Sequence, residues 1–401
     1  MERFAAVLAR QCFINEYVFH ESEEEVAIVS KLRSALETST VIIPIQLLLA
    51  AAYFPLHTLS NSEKLLQRSW SASVEAVVTQ QVREPIQEQN LREIIPRLTI
   101  IRDPVSLLVQ DQYETNPYPR WVKMPVEKPD TIVNFLLGKF PFAHFEITPG
   151  RKMKDILIAG CGTGQRSIAM AQKFGDQHML AIDLSLSSLS YARRQSEALG
   201  LRINYCQADL LELESISAHF DIIESIGVLH HLDDPWTGWR TLLKLLRPGG
   251  FMFIGVYSHM ARRPIVGARA RIDKLGISGS PDNIRGFRQD FIQDGDKKLY
   301  ASILDSDDFF SLSACRDLLF HVKEHHMRLK DIDIFIKDQN LHFLGFELND
   351  SVLAAYRKSY PHDKAAIDIT SWEEFEAIHP GLFGGMYSFW IQRPSVATTI
   401  N

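Results

Sequence analysis

Four cysteines in 401 residues are too few and too scattered for a disulfide framework. Cys12, Cys161, Cys206 and Cys315 show no paired spacing, which argues against a zinc ribbon and for free thiols in a reducing compartment. Positive charge is also short. Forty-three Lys and Arg face 49 Asp and Glu, a net charge of -6, so the generally basic surface of a nucleic-acid binder is absent. Long apolar runs are missing too. The stretch "TVIIPIQLLLAAAYFPLHTL" (40–59) has no Asp, Glu, Lys or Arg, yet Pro44, Gln46, Pro55 and His57 interrupt it. Only Leu47 to Phe54 is unbroken, far short of the roughly 20 residues a membrane span needs. A buried helix bounded by prolines is expected there. "MERFAAVLARQCF" lacks the apolar core of a secretory signal. No repeat of helical-array length stands out. A cytoplasmic protein with neither nucleic acid nor membrane as partner is expected.

What is present is ordinary in bulk: 46% hydrophobic and 23% charged residues, enough chain for two domains. Residues 1–110 read as a helical N-terminal domain. "SEEEVAIVSKLRSAL" offers Ser22 as an N-cap, acids in the first turn and apolar residues at helical spacing. A knot of prolines and aromatics, "DQYETNPYPRW" (111–121), ends that pattern. In residues 111–401 short apolar runs alternate with amphipathic helices: "DILIAG", "HMLAIDL", "INYCQADL", "FDIIESIGVL" and "GFMFIGVYS". This alternation predicts an α/β domain with a parallel sheet covered on both faces. "LHFLGFEL" and "MYSFWIQ" read as late strands, after a mostly helical insertion at 259–340.

The first strand runs into "IAGCGTGQRS", where Gly160, Gly162 and Gly164 form GxGxG at a strand-to-helix turn. Glycines there let backbone approach a ligand, and the helix start offers N–H groups. Gln165 stands where a dinucleotide fingerprint wants a third spaced glycine. Asp183 ends the second strand, placed to accept both ribose hydroxyls. Asp209 ends the third, placed to meet an exocyclic amine.

The ordered set "AGCGTGQ", "AIDLS", "QADLLEL", "FDIIESIGVLHHLDDP" and "LLRPGGFMFIGVY" resembles the class I S-adenosylmethionine-dependent methyltransferases. The late strands resemble that family's sixth and seventh, the last antiparallel, so a Rossmann-like seven-stranded sheet is implied. "QCFINEYVF", "QYETNPYPRW", "CRDLLFHVKEHHM" and "LHFLGFEL" further resemble the bacterial branch often fused to tetratricopeptide repeats, here without the repeats. The resemblance implies S-adenosylmethionine as cofactor and an unidentified methyl acceptor: small molecule, sugar or protein side chain. It assigns Gly160, Gly162 and Gly164 to the methionine side, Asp183 to ribose, and Asp209 with Leu210 to adenine, and adds Cys161, Gln165 and Leu184 to the cofactor contacts. Ser225 and Tyr113 are further expected cofactor contacts. One departure stands out: Ile158 sits two residues before Gly160, where the family carries an acid that organises the loop. The rival readings are a nicotinamide dehydrogenase and a non-catalytic cofactor-binding module.

On the acceptor side, His230 and His231 follow the fourth strand, and imidazole suits proton transfer. The bland alternative is that they only shape the loop. "HVKEH" (321–325) matches the H-x-x-E-H zinc pattern; read as a helix, it would instead cap the substrate pocket and offer Glu324 and His325, or be a polar helix face. No metal is required. "NPYP" resembles the NPPY box of amino-group methyltransferases but lies at the wrong chain position. In the insertion, Arg262, Arg263, Arg269, Arg271, Arg285 and Arg288 suit a carboxylate or phosphate, with a solvated face as default for most. The knot, as part of a 111–150 linker, is expected to form a lid. Tyr113 and Tyr118 would cover cofactor or substrate, Pro117 and Pro119 would stiffen the turn, and Arg120 would supply a carboxylate contact. The alternative is a junction plug around Trp121.

Overall fold

Five apolar runs that each end in a turn residue build the parallel part of a seven-stranded sheet. In the computed structural model, which describes residues 1–147, 153–175, 177–294 and 301–395, the strands are β1 (Asp155–Ala159), β2 (His178–Asp183), β3 (Asn204–Gln207), β4 (Phe220–Ile226), β5 (Leu246–Tyr257), β6 (His342–Phe346) and β7 (Met386–Gln392). Their order is β3-β2-β1-β4-β5-β7-β6. β1 to β5 are mutually parallel, and β7 runs antiparallel between β5 and β6. This is the α/β, Rossmann-like sheet the motifs imply.

Both faces of the sheet are covered, which explains why its central strands are apolar at nearly every position. On one face Leu157, Ala159, Ile223 and Ile254 pack with Trp239 and Leu242 of helix Pro235–Leu245 and with Trp372 of helix Ile369–Ile378. On the other, Ile156, Ile158, Ile222 and Phe253 meet Met170 and Phe174 of helix Gln165–Phe174 and Leu189 of helix Leu186–Ala198.

The chain divides into two units, and the division differs from the expected 1–110 and 111–401. The first comprises Met1–Ile94, Asn116–Val122 and Pro264–His321; the second comprises Ile95–Thr115, Lys123–Arg263 and Val322–Asn401. Most of the 259–340 insertion therefore groups with the N-terminal helices. The cause is a shared core: Val18 is buried with Ile265, Phe287, Phe291, Phe309 and Leu318. The expected linker also divides. Residues 111–115 finish helix Pro104–Thr115 in the second unit, 116–122 belong to the first, and 148–150 lie outside the described residues.

Within the first unit, Ser22 caps helix Glu23–Thr38 in a capping box with Glu25. Of the apolar stretch 40–59, Pro44–Ala51 forms a helix with Pro at its start and with Leu47, Leu48, Ala50 and Ala51 buried. Among the described residues, no helix is long and apolar enough to cross a membrane.

Candidate functional site

The loop after β1 is pinned to the end of β2. Gly160 and Cys161 both donate their N–H to the Ile182 carbonyl at 2.9 Å. Gly162 N–H donates to Asp183 Oδ2 at 2.8 Å, and Ser185 N–H to Asp183 Oδ1 at 2.9 Å. Glycine is required on two counts. Gly160 has φ 79°, and a Cβ there would stand 2.1 Å from Val228 Cγ2; Gly164, φ 89°, would place one 2.6 Å from Ala192 Cβ.

Asp183 keeps acceptor capacity after these bonds, because a carboxylate offers about four lone-pair sites. Burial raises its pKa, and the N–H bonds from Ser185 and Gly162 offset part of that rise. Leu184, the next residue, accepts from Gln207 Nε2 at 2.8 Å through its carbonyl. Cys161 is buried, and burial raises its thiol pKa. Gln165 opens the helix, with Gly164 as N-cap.

Asp209 closes β3 and caps a short turn through Leu211 N–H, at 3.0 Å from Oδ1. Burial raises its pKa, opposed by Leu211 N–H and the Ser106 hydroxyl. Leu210 and Ser225 are buried, Leu210 within the core on one face of the sheet. Ser225 Oγ has no hydrogen-bond partner among the described residues.

The half of the knot that lies in this unit docks beside Asp183. Tyr113 contributes its carbonyl, which accepts from Ser185 Oγ at 3.0 Å. Glu114 caps helix Leu186–Ala198: it accepts from Leu186 N–H at 2.8 Å and from the Ser187 hydroxyl at 2.7 Å. Sequence reasoning missed Glu114; its signal was an acid two residues before Asn-Pro. Tyr118 and Arg120 are held within the first unit instead. Tyr118 OH donates to Asp308 at 2.9 Å, and Arg120 pairs with Glu16 at 3.1 Å above the Phe13 ring. The charge expected to meet a substrate carboxylate is thus already matched by Glu16. Trp121 is buried, as the plug alternative expects.

Of the residues expected on the acceptor side, His230, His231, Arg262 and Glu324 gather at the C-terminal ends of β4 and β5. His230 stacks on Tyr257, with ring centroids 3.7 Å apart, and its Nδ1 accepts from Tyr257 N–H at 3.3 Å. Nδ1 is therefore the unprotonated nitrogen of His230. His231 is the opposite tautomer: its Nδ1 lies 2.8 Å from the Lys323 carbonyl and must donate. Arg262 lies 3.7 Å from the Tyr257 ring centroid and forms a two-point pair with Glu324, at 3.1 and 2.7 Å. His326 Nε2 sits 2.6 Å from Glu324 Oε1.

"HVKEH" is not a helix. The helix Leu312–Phe320 ends before it, and the following residues run extended. Backbone pairing explains this: His325 N–H donates to the His230 carbonyl at 2.8 Å, and Met327 N–H to that of Tyr257 at 2.8 Å. Glu324 consequently faces Arg262, while His325 Nε2 meets the Asp233 carbonyl at 3.0 Å. Tyr257, which joins these groups, was not singled out in the sequence; its place at the end of the fifth strand was the available signal. Three of the insertion arginines serve the first unit: Arg269 donates to the His321 carbonyl, Arg285 to that of Tyr17, and Arg288 to those of Phe309 and Val18.

Residues 156–250 match the family model described as a methyltransferase domain. Phosphoethanolamine N-methyltransferase 1 of Arabidopsis thaliana is 33% identical over 118 residues, 29% of this chain and 23% of that protein. A ubiquinone biosynthesis O-methyltransferase of Bordetella avium is 34% identical over 116 residues, 29% of this chain and 45% of that protein. The chain thus spans less than half the length of either relative. The solved structure of PKMT2 from Rickettsia typhi in complex with AdoHcy shares the fold, with TM-score 0.50, 15% identity, and coverage of 66% of this chain and 52% of that one. The likeness over residues 156–250 is thus to a methyltransferase domain, carried on an α/β sheet of the same fold as that solved structure.

Proposed function

We propose that the whole chain is an S-adenosylmethionine-dependent methyltransferase, of the bacterial branch its flanking motifs resemble. The carrying observation is the glycine loop fastened to Asp183 at the C-terminal ends of β1 and β2, the crevice where open α/β sheets bind ligands. The residues fit the cofactor. Gly160 and Gly164 let the loop pack closely on Val228 and Ala192, which sets its backbone next to helix N–H groups suited to the methionine carboxylate. Asp183 has lone pairs for ribose hydroxyls, and Asp209 a buried carboxylate for the adenine amine. When bound, the cofactor supplies an electrophilic methyl group on its own leaving group. The chain's task is to bind, align and exclude water. His230, His231 and Tyr257 stand on the acceptor side, where an imidazole would take a proton from an O–H or N–H acceptor.

Calorimetry tests the reading. S-adenosylhomocysteine should bind and NAD should not, and Asp183→Ala should abolish binding. Binding of NAD instead would select the dehydrogenase. Incubation with labelled S-adenosylmethionine and candidate acceptors then identifies the product; binding with no transfer to any acceptor would point to a non-catalytic module.

A further inference from the structure

Ile158 lies in strand register beside Glu224 of β4, on the same face of the sheet. Glu224 shares β4 with a second acid, Asp221, and with Ser225; its own side chain is 1% exposed. A carboxylate so buried is costly unless paired. Its partner is Arg166, whose Nε and Nη2 donate to Oε1 and Oε2 at 2.8 and 2.9 Å. Arg166 is the second residue of the helix that follows the glycine loop, and its guanidinium also lies 5.3 Å from the Phe253 ring centroid. A planar fork held at two points and against a ring has little freedom. β4 thereby holds the first turn of the helix, and the loop between that turn and β1 is held at both ends. One end is the Gly162–Asp183 bond; the other is the Arg166–Glu224 pair.

We infer that Glu224 and Arg166 are positioning residues for the cofactor's amino-acid end, doing from β4 what an acid at position 158 would do from β1. The inference rests on the assignment of the glycine loop to the methionine side. It predicts a selective defect. A loosened loop loses its grip on the amino-acid moiety, while Asp183 and Asp209 continue to hold the nucleoside.

The test is calorimetry on the full chain with two ligands: S-adenosylhomocysteine, and 5′-methylthioadenosine, which lacks the amino-acid end. Glu224→Gln should weaken the first by roughly tenfold, the scale of one charged hydrogen bond, and leave the second unchanged. Arg166→Gln should do the same; it alters a half-exposed side chain and so covers the case in which the buried substitution fails to fold. Equal weakening of both ligands would mean a merely structural pair, and unchanged affinity for both would mean an idle one; either overturns the inference while wild-type binding stands. Failure of the wild-type chain to bind either ligand would remove the proposed function as well.

Discussion

Asp183 uses one carboxylate to hold its own backbone and, on the proposed reading, to receive a ligand. Burial raises its pKa, so its contributions to folding and to ligand binding depend on pH in opposite senses. The folded protein holds the Asp183 proton more tightly than the unfolded chain, so this group favours folding in acid. That contribution fades as pH rises through the raised value. Ligand binding runs the other way, since a ribose hydroxyl needs the ionised acceptor. Affinity for S-adenosylhomocysteine should therefore begin to fall above the pH range where an exposed aspartate titrates. Calorimetric titrations stepped from neutral to acid pH check this; a flat profile down to the ordinary carboxylate range would exclude Asp183 as the ribose acceptor. At this scale Asp183 was legible from its spacing after the glycines. Glu224 was not, because an acid inside a mostly apolar strand reveals neither its face nor its partner, and Arg166 reaches it only once strand and helix are packed.

Among the elements, the glycine loop is where backbone conformation and packing agree most closely. Gly160→Ala would impose both the left-handed conformation and an overlap with Val228. The two together should lower stability by about 2 kcal/mol or more. Thermal or urea unfolding measures it. Adding Val228→Ala should recover only part of the loss, because the smaller neighbour relieves the overlap and not the φ cost. The strands around this loop were readable because a parallel sheet demands apolar runs of fixed length. The segment 321–328 was not. Its histidine and glutamate spacing suits a helix, but backbone bonds to His230 and Tyr257 draw it out extended, and such pairing has no local signature.

For the molecule as a whole, chain continuity misled the domain reading. The first unit is assembled from three separate segments. Arg288 binds the Val18 carbonyl at 2.9 Å, Arg285 the Tyr17 carbonyl at 2.7 Å, and Glu16 the Ser313 N–H at 2.6 Å. A chain beginning at residue 95 would strip these partners and uncover the apolar residues around Val18. Each buried group left unpaired costs about 1–3 kcal/mol. Limited proteolysis should then cut within 264–294 or 301–321, which stay protected in the full chain; continued protection in the truncated chain would show that these stretches fold alone. No periodicity could have announced the grouping, since it depends on residues hundreds of positions apart.

That same three-part unit sets an order of events during synthesis. The helices up to Ile94 leave the ribosome about 170 residues before Pro264 does. At roughly 5–20 residues per second the delay is on the order of ten to thirty seconds. β1 to β5 emerge within that interval. The seven-stranded sheet can thus gather its first five strands while the N-terminal helices still await the partners of Val18, and a nascent chain halted before residue 264 would display that apolar surface to any chaperone near the exit tunnel.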